Sequence, residues 1–194
     1  MSMADHFLPR CEFGETHESR VNAPPSAVLD AVEALDDGDD KIVRALLVMR
    51  ELPSRLLGAI GVPGSLKHKK RFGMANFTRL ARNDSELVYG LVGRFWRPSF
   101  GLVDIAGAPD FLAFNQAGVA KLTMSFETSH EDGDATRLVT RTRVHCPDRG
   151  SFLAFAPYWL LIRAASGLVR QRMLAAIRRK AEAASARQFP PAPF

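Results

Sequence analysis

The chain offers little sulfur chemistry. Its two cysteines, Cys11 and Cys146, are far apart in sequence and neither belongs to a CxxC pair, so neither a disulfide framework nor a thiol-rich metal site is expected. Long apolar runs are missing too, and nothing approaches the ~20 residues needed to span a bilayer. The opening MSMADHFLPR lacks the apolar stretch of a secretion signal, and a reduced, cytoplasmic setting is the expectation. The histidines His6, His17, His68, His130 and His145 are scattered. His145 and Cys146 are strand neighbours facing opposite ways, so no metal is expected. G-x-S-x-G, P-loop and dinucleotide fingerprints are absent. The loosely glycine-rich stretch from Gly58 follows a helical segment and not a strand, which argues against a phosphate cradle. No cofactor is expected.

What is present is an ordinary globular composition: 194 residues, 46% hydrophobic and 24% charged. Such a chain buries a core without staples and reads as one domain, 1–194. The net charge of +5 is unevenly spread. Asp36, Asp37, Asp39 and Asp40 crowd the front, while Arg137, Arg141, Arg143, Arg149, Arg163, Arg170, Arg172, Arg178, Arg179 and Lys180 mark the end. The densest basic run, Lys67 to Arg71, has no interleaved aromatics and reads as a solvated connector. A specific nucleic-acid partner is not expected.

Along the chain, THESRVNA leads as a strand into Pro24-Pro25, and proline is tolerated in a first helical turn. Val28, Val32 and Leu35 then recur at helical spacing. A second helix is expected after Asp39 or Asp40, with Ile42, Ala45, Leu46 and Met49 on its apolar face, ending at GVPG. From Phe72 to Cys146 the texture is that of strands: FTRLAR, ELVYGLVGRFW, GLVDI, DFLAFNQ, AKLTMSFETSH and ATRLVTRTRVHC. A long helix follows from about Ser151 to Ala186. Residues 1–14 read as an N-terminal segment, and the proline-rich 187–194 as a loose tail.

Parity fixes much of the last hairpin. Leu122, Met124 and Phe126 alternate with polar residues, as do Leu138, Thr140, Thr142 and Val144 on the return strand. Setting these rows on one face requires an odd-length loop. The opposite face then carries Ser125, Glu127, Arg141 and Arg143 and reads as solvent-facing. In the terminal helix Phe152, Phe155, Trp159, Ile162, Ser166, Val169, Met173 and Ile177 step by three or four, a stripe broad enough to cover a sheet. Arg163 and Arg170, seven apart, lie on one face beside it. Both read as snorkelling side chains, with Arg163 the one placed to reach inward. In GRFWRP, alternation puts Phe95 in the row of Leu87, Tyr89 and Leu91, and Trp96 with Val88 and Val92.

The order strand, helix pair, antiparallel strands, long helix defines an α+β helix-grip fold. A curved antiparallel sheet wraps around the C-terminal helix, and a short helix pair follows the first strand. VNAPPSAVLDAV resembles the opening strand and helix of the START-related superfamily that includes polyketide cyclases (SRPBCC). GRFWRP and YWLLIRAASGLVRQRMLAAIRR are similar to an uncharacterised bacterial branch of it. The resemblance implies a ligand cavity beneath the terminal helix and brings no universal catalytic set. The expected function is therefore binding of a mid-sized apolar molecule, such as a lipid, polyketide or isoprenoid. The expected ligand-facing residues are Tyr89, Leu91, Phe95, Phe114, Met124, Phe126, Thr140, Thr142, Phe155, Trp159, Ile162 and Arg163. The alternatives are a cyclase- or dehydratase-type enzyme using Arg163, Arg94 and a tyrosine (Tyr89 or Tyr158), or a basic binder of nucleic acid or membrane surface.

Overall fold

The computed structural model describes residues 2–35, 74–97, 99–132 and 135–188. Five strands form one antiparallel sheet in the order β1-β5-β4-β3-β2. They are β1 (Phe13–Val21), β2 (Thr78–Arg82), β3 (Glu86–Gly93), β4 (Ala120–His130) and β5 (Thr136–His145). Among the described residues four α-helices accompany them: α1 (Met3–Phe7), α2 (Pro25–Glu33), α3 (Ala108–Ala113) and α4 (Arg149–Gln188). Sheet plus long terminal helix is the expected α+β helix-grip arrangement. Of the expected helix pair, α2 starts at Pro25 as its sequence predicts. The second predicted helix and the basic run 67–71 lie outside the described residues.

The hairpin register follows the hydrophobic parity. Met124 lies opposite Thr142, Phe126 opposite Thr140, and Ser125 opposite Arg141, with the odd-length loop 131–135 between the strands. A one-residue slip would carry Met124 and Phe126 out of the core, which is why apolar alternation specifies the pairing.

Three local expectations are corrected. DFLAFNQ contributes to helix α3 and not to a strand. Pro109 sits in its first turn and Phe111, fully buried, faces the sheet. Gly90 makes room for this, since a Cβ there would stand 2.8 Å from both Leu80 and Phe111. GLVDI supplies only a bridge from Val103 to Val92. Strand β3 stops at Gly93, where the chain turns through a 2.8 Å bond from Arg94 N–H to the Phe100 carbonyl. Phe95 and Trp96 consequently escape strand alternation, and both pack on Phe155 at 6.3 Å between ring centres.

The face expected to meet solvent is partly covered. Ala4 and Phe7 of α1 and Phe111 of α3 pack with Leu80, Val88, Val92 and Val119. Thr123 and Ser125 are buried there, and Arg143 reaches Asp5 and Cys11. Buried Glu86 holds the start of α1, accepting from the Ser2 hydroxyl (2.6 Å) and the Met3 and Ala4 N–H groups (2.7 and 3.0 Å). The N-terminal segment is thus pinned to the sheet by a carboxylate at a helix start, where the unpaired N–H groups favour negative charge.

At the head of α4, Asp148 accepts from the N–H groups of Gly118 (2.6 Å) and Ser151 (2.9 Å). These backbone bonds, Gly118's foremost, and the Ser151 hydroxyl bring its carboxyl down to about 2. Because the folded value lies below the unfolded one, the stabilisation is complete above about pH 4 and is lost as pH falls through about 2. Urea titrations across this acid range should show a stability loss that Asp148→Asn flattens. Glu86→Ala should lower unfolding free energy by about 2 kcal/mol, because it removes the acceptor of the part-buried Met3 N–H and the nearer acceptor of the buried Ala4 N–H.

Candidate functional site

Helix α4 grips the inner sheet face at two places. Near its start Phe155 and Trp159 pack with Leu91, Phe95, Ala120, Val144 and Cys146. Toward its end Leu174, Ile177 and Ala181 join Val21, Leu87, Tyr89, Met124, Phe126, Leu138 and the buried face of α2. The helix does not run straight between them: Arg149–Arg163 and Gly167–Arg187 are inclined at 61°. The change of direction falls between Arg163 and Gly167. Pro157 lies within the first, continuous half.

Between the two apolar contacts the seam is polar. Strand β1 is an edge strand whose inner row is Phe13, Glu15, His17, Ser19 and Val21, and it sets Glu15 opposite Thr142 and His17 opposite Thr140. The Glu15 side chain is only 8% exposed. It lies 3.8 Å from His17 Nε2 and 4.0 Å from Arg163 Nε. His17 Nε2 and Thr140 Oγ1 are buried and make no hydrogen bond among the described residues. Each such orphan costs on the order of 1–3 kcal/mol, so two in one seam call for a partner.

Arg170 enters this strip from α4. It donates to Thr142 Oγ1 at 2.7 Å and contacts the sulfurs of Met124 and Met173. The residue as a whole is half-buried, but its guanidinium is enclosed. Burial brings it down to about 10, below the ordinary guanidinium range, with Glu15 pulling the other way. Below about pH 10 the enclosed charge therefore opposes folding. A groove of about 630 Å³ opens beside the strip, lined by Gly14, Glu15, Thr16, His17, Leu160, Arg163 and Gly167. Leu160 is 72% exposed and gives its rim an apolar edge.

Of the residues expected from sequence, Tyr89, Leu91, Met124, Phe126, Thr140 and Thr142 share the inner face. Phe155, Trp159, Phe95 and Ile162 gather at the first grip. Phe114 is not brought to them; it packs on the other face with Phe111. Arg163 sits at the groove rim with a side chain 67% exposed, while Arg170 turns inward. The bend between them breaks the common face that a seven-residue spacing gives on a straight helix. Arg94 ties a turn together, donating from Nε to the Gly118 carbonyl at 3.0 Å.

Glu15, His17 and Arg170 were not among the residues expected to face a ligand. Extending the strand back from Val21 would have exposed the alternation of Phe13, Glu15, His17 and Ser19, the one signal present in sequence. No sequence signal announces Arg170. Among the described residues no group of three or more histidines, cysteines or carboxylates could hold a metal. Cys146 is pushed up to about 12 by burial, which leaves it an inert thiol. No single described helix is long and apolar enough to cross a membrane.

A second groove, about 700 Å³, follows β2 and is lined by Ser26, Leu29 and residues 79–84. Its arginines are already paired, Arg79 with Glu33 and Arg82 with Glu33 and Asp30. It holds no buried polar orphan among the described residues, and it is the weaker candidate.

The geometry defines a helix-grip domain with a polar strip under its terminal helix. The chain matches no known family profile and no curated protein. Among solved structures it is similar to the di-domain ARO/CYC BexL from the BE-7585A biosynthetic pathway: 12% identity, 88% of this chain covered, TM-score 0.38. The match spans 50% of BexL, so this chain corresponds to about half of that protein. It is also similar to a protein of Thermus thermophilus, at 12% identity and TM-score 0.33, covering 89% of this chain and 99% of the other.

If Arg170 serves a ligand and not the fold, Arg170→Met, which keeps length and sulfur-compatible packing, should leave stability unchanged or raise it by about 1–2 kcal/mol. Urea unfolding decides this; a loss of more than about 2 kcal/mol would make Arg170 a structural support.

Proposed function

We propose that the protein binds a mid-sized, largely apolar molecule in the seam between the sheet and α4. The observation that carries this reading is the pair of buried polar atoms, His17 Nε2 and Thr140 Oγ1, that make no hydrogen bond among the described residues, in a polar strip between two apolar helix–sheet contacts. Small-molecule sites have this character: apolar walls with a few convergent polar groups, in volumes of about 300–1,000 Å³. The groove beside β1 falls in that range. In this reading Tyr89, Leu91, Met124, Phe126, Trp159 and Ile162 supply apolar wall. Thr140, Thr142 and His17 supply polar orientation, and Leu160 and Arg163 stand at the mouth.

One observation favours a second reading, an enzyme of the cyclase or dehydratase type. A carboxylate, an imidazole and a guanidinium meet in the strip, with Glu15 3.8 Å from His17 and its charge felt by Arg170. An imidazole beside a carboxylate can move a proton, and a buried guanidinium can stabilise a developing oxyanion. Tyr89, the tyrosine of the inner face, is buried and its hydroxyl pushed up in pKa by burial, so it would act as a hydrogen-bond donor and not as a base.

The binding reading is tested by plugging the groove. A Cβ at Gly167 would meet the His17 ring at an ordinary 3.7 Å, so Gly167→Leu is accommodated at its base while its branch fills the space ahead. The variant should keep its melting temperature and lose at least tenfold in affinity for an apolar fluorescent probe. Unchanged probe binding by the plugged variant, or no binding by the parent protein, would sink the seam as the site.

A further inference from the structure

We infer that the ligand is an amphipathic acid, an apolar body ending in one carboxylate, whose charged end lies in the corner formed by Arg170, Thr142 and Glu15. This rests on the seam being the binding site and goes further by naming the chemistry of the bound head group.

The argument is a charge count over the described elements that face the corner. From β1 come Glu15 and His17, and from α4 come Arg163 and Arg170. From β5 come Thr140 and Thr142, from β4 Met124 and Phe126, and from β3 Tyr89, all uncharged. Among these described groups, Arg170 inside and Arg163 at the rim stand against one carboxylate, Glu15, an excess of one guanidinium. Glu15 lies nearest Arg163 and His17. Among the described residues no carboxylate lies within ion-pair distance of Arg170, whose acceptors are one hydroxyl and two thioethers.

A guanidinium presents five N–H donors in a planar fork that matches a carboxylate, and thioether sulfur is a weak acceptor. Only its bond to Thr142 Oγ1 meets a strong acceptor among the described residues, in surroundings where an uncompensated charge is costly. A neutral alcohol or ketone leaves the positive charge in place, and a doubly charged phosphate overshoots it beside Glu15. A single carboxylate balances the corner. The neighbouring His17 Nε2 and Thr140 Oγ1 give hydrogen-bonding room for a polar substituent close to the head. The apolar body then lies along Leu91, Ile162 and Trp159 toward the first grip.

Isothermal titration of the full chain with dodecanoic acid, 1-dodecanol and dodecyl phosphate at neutral pH and below micelle concentrations provides the test. The acid should bind at least about tenfold more tightly than the alcohol, the size of one charge-assisted hydrogen bond, and more tightly than the phosphate. In Arg170→Gln, which still offers a donor to Thr142, the alcohol should bind as before while the preference for the acid falls below about threefold. Circular dichroism melts of the same samples separate lost recognition from lost folding. Equal binding of acid and alcohol, preference for the phosphate, or an acid preference that survives Arg170→Gln would overturn the head-group assignment while leaving the seam as the site. If none of the three probes binds the parent protein, the seam reading fails and this inference with it.

Discussion

Two described helices, α2 and α4, cover the inner face of a five-stranded sheet, and the candidate site follows from how α4 does so. Helix α4 is 40 residues long, about 60 Å if straight, far more than a sheet of short strands can meet along a line. Its apolar stripe therefore engages twice, through Phe155 and Trp159 and again through Leu174, Ile177 and Ala181, with a 61° change of direction between. Hydrophobic burial is roughly proportional to area and indifferent to direction, so both ends seat firmly while the bend leaves the middle free for polar side chains.

That middle strip runs against the packing rule of the rest of the core. Interiors are close-packed and their polar groups satisfied, yet here an arginine is enclosed without a carboxylate at ion-pair distance among the described residues, and a histidine nitrogen and a threonine hydroxyl make no hydrogen bond there. The outer face shows the contrast: Glu86 meets three donors, and Arg141 pairs with Glu127 at 3.0 Å. Among the described residues Thr123 Oγ1 on the outer face also makes no hydrogen bond, but the inner strip alone adds to such orphans an enclosed guanidinium without a carboxylate at ion-pair distance.

Much of the fold was legible because it rests on period. Alternation in β4 and β5 dictated which residues share a face, and the three-four spacing from Phe155 to Ile177 dictated which side of α4 turns inward. Where period was weak, sequence misled. Asp110 to Gln116 carries apolar residues at intervals that suit a strand as well as a helix, and the buried fit of Phe111 over Gly90 decided for helix. Phe95 and Trp96 continue the alternation of a strand that Gly93 ends, because the carbonyl of Phe100 would stand 2.9 Å from a Cβ at that position. About half of the site was legible for the same reason. Tyr89, Leu91, Met124, Phe126, Thr140 and Thr142 follow from parity, whereas Phe114 depended on the misread segment.

By itself the sequence determined the α+β class, the register of the central hairpin, the start of α2 at its proline pair and the grip residues of the terminal helix. All of these are local periodicities or local backbone restrictions. Only the tertiary structure decided that β1 lies at the sheet edge beside the bend of α4, that Glu15 and His17 face inward, and that Arg170 rather than Arg163 occupies the seam. Those outcomes depend on a change in helix direction between two residues seven apart. They depend equally on pairing β1 with β5, more than a hundred positions away, and no spacing along the chain encodes either.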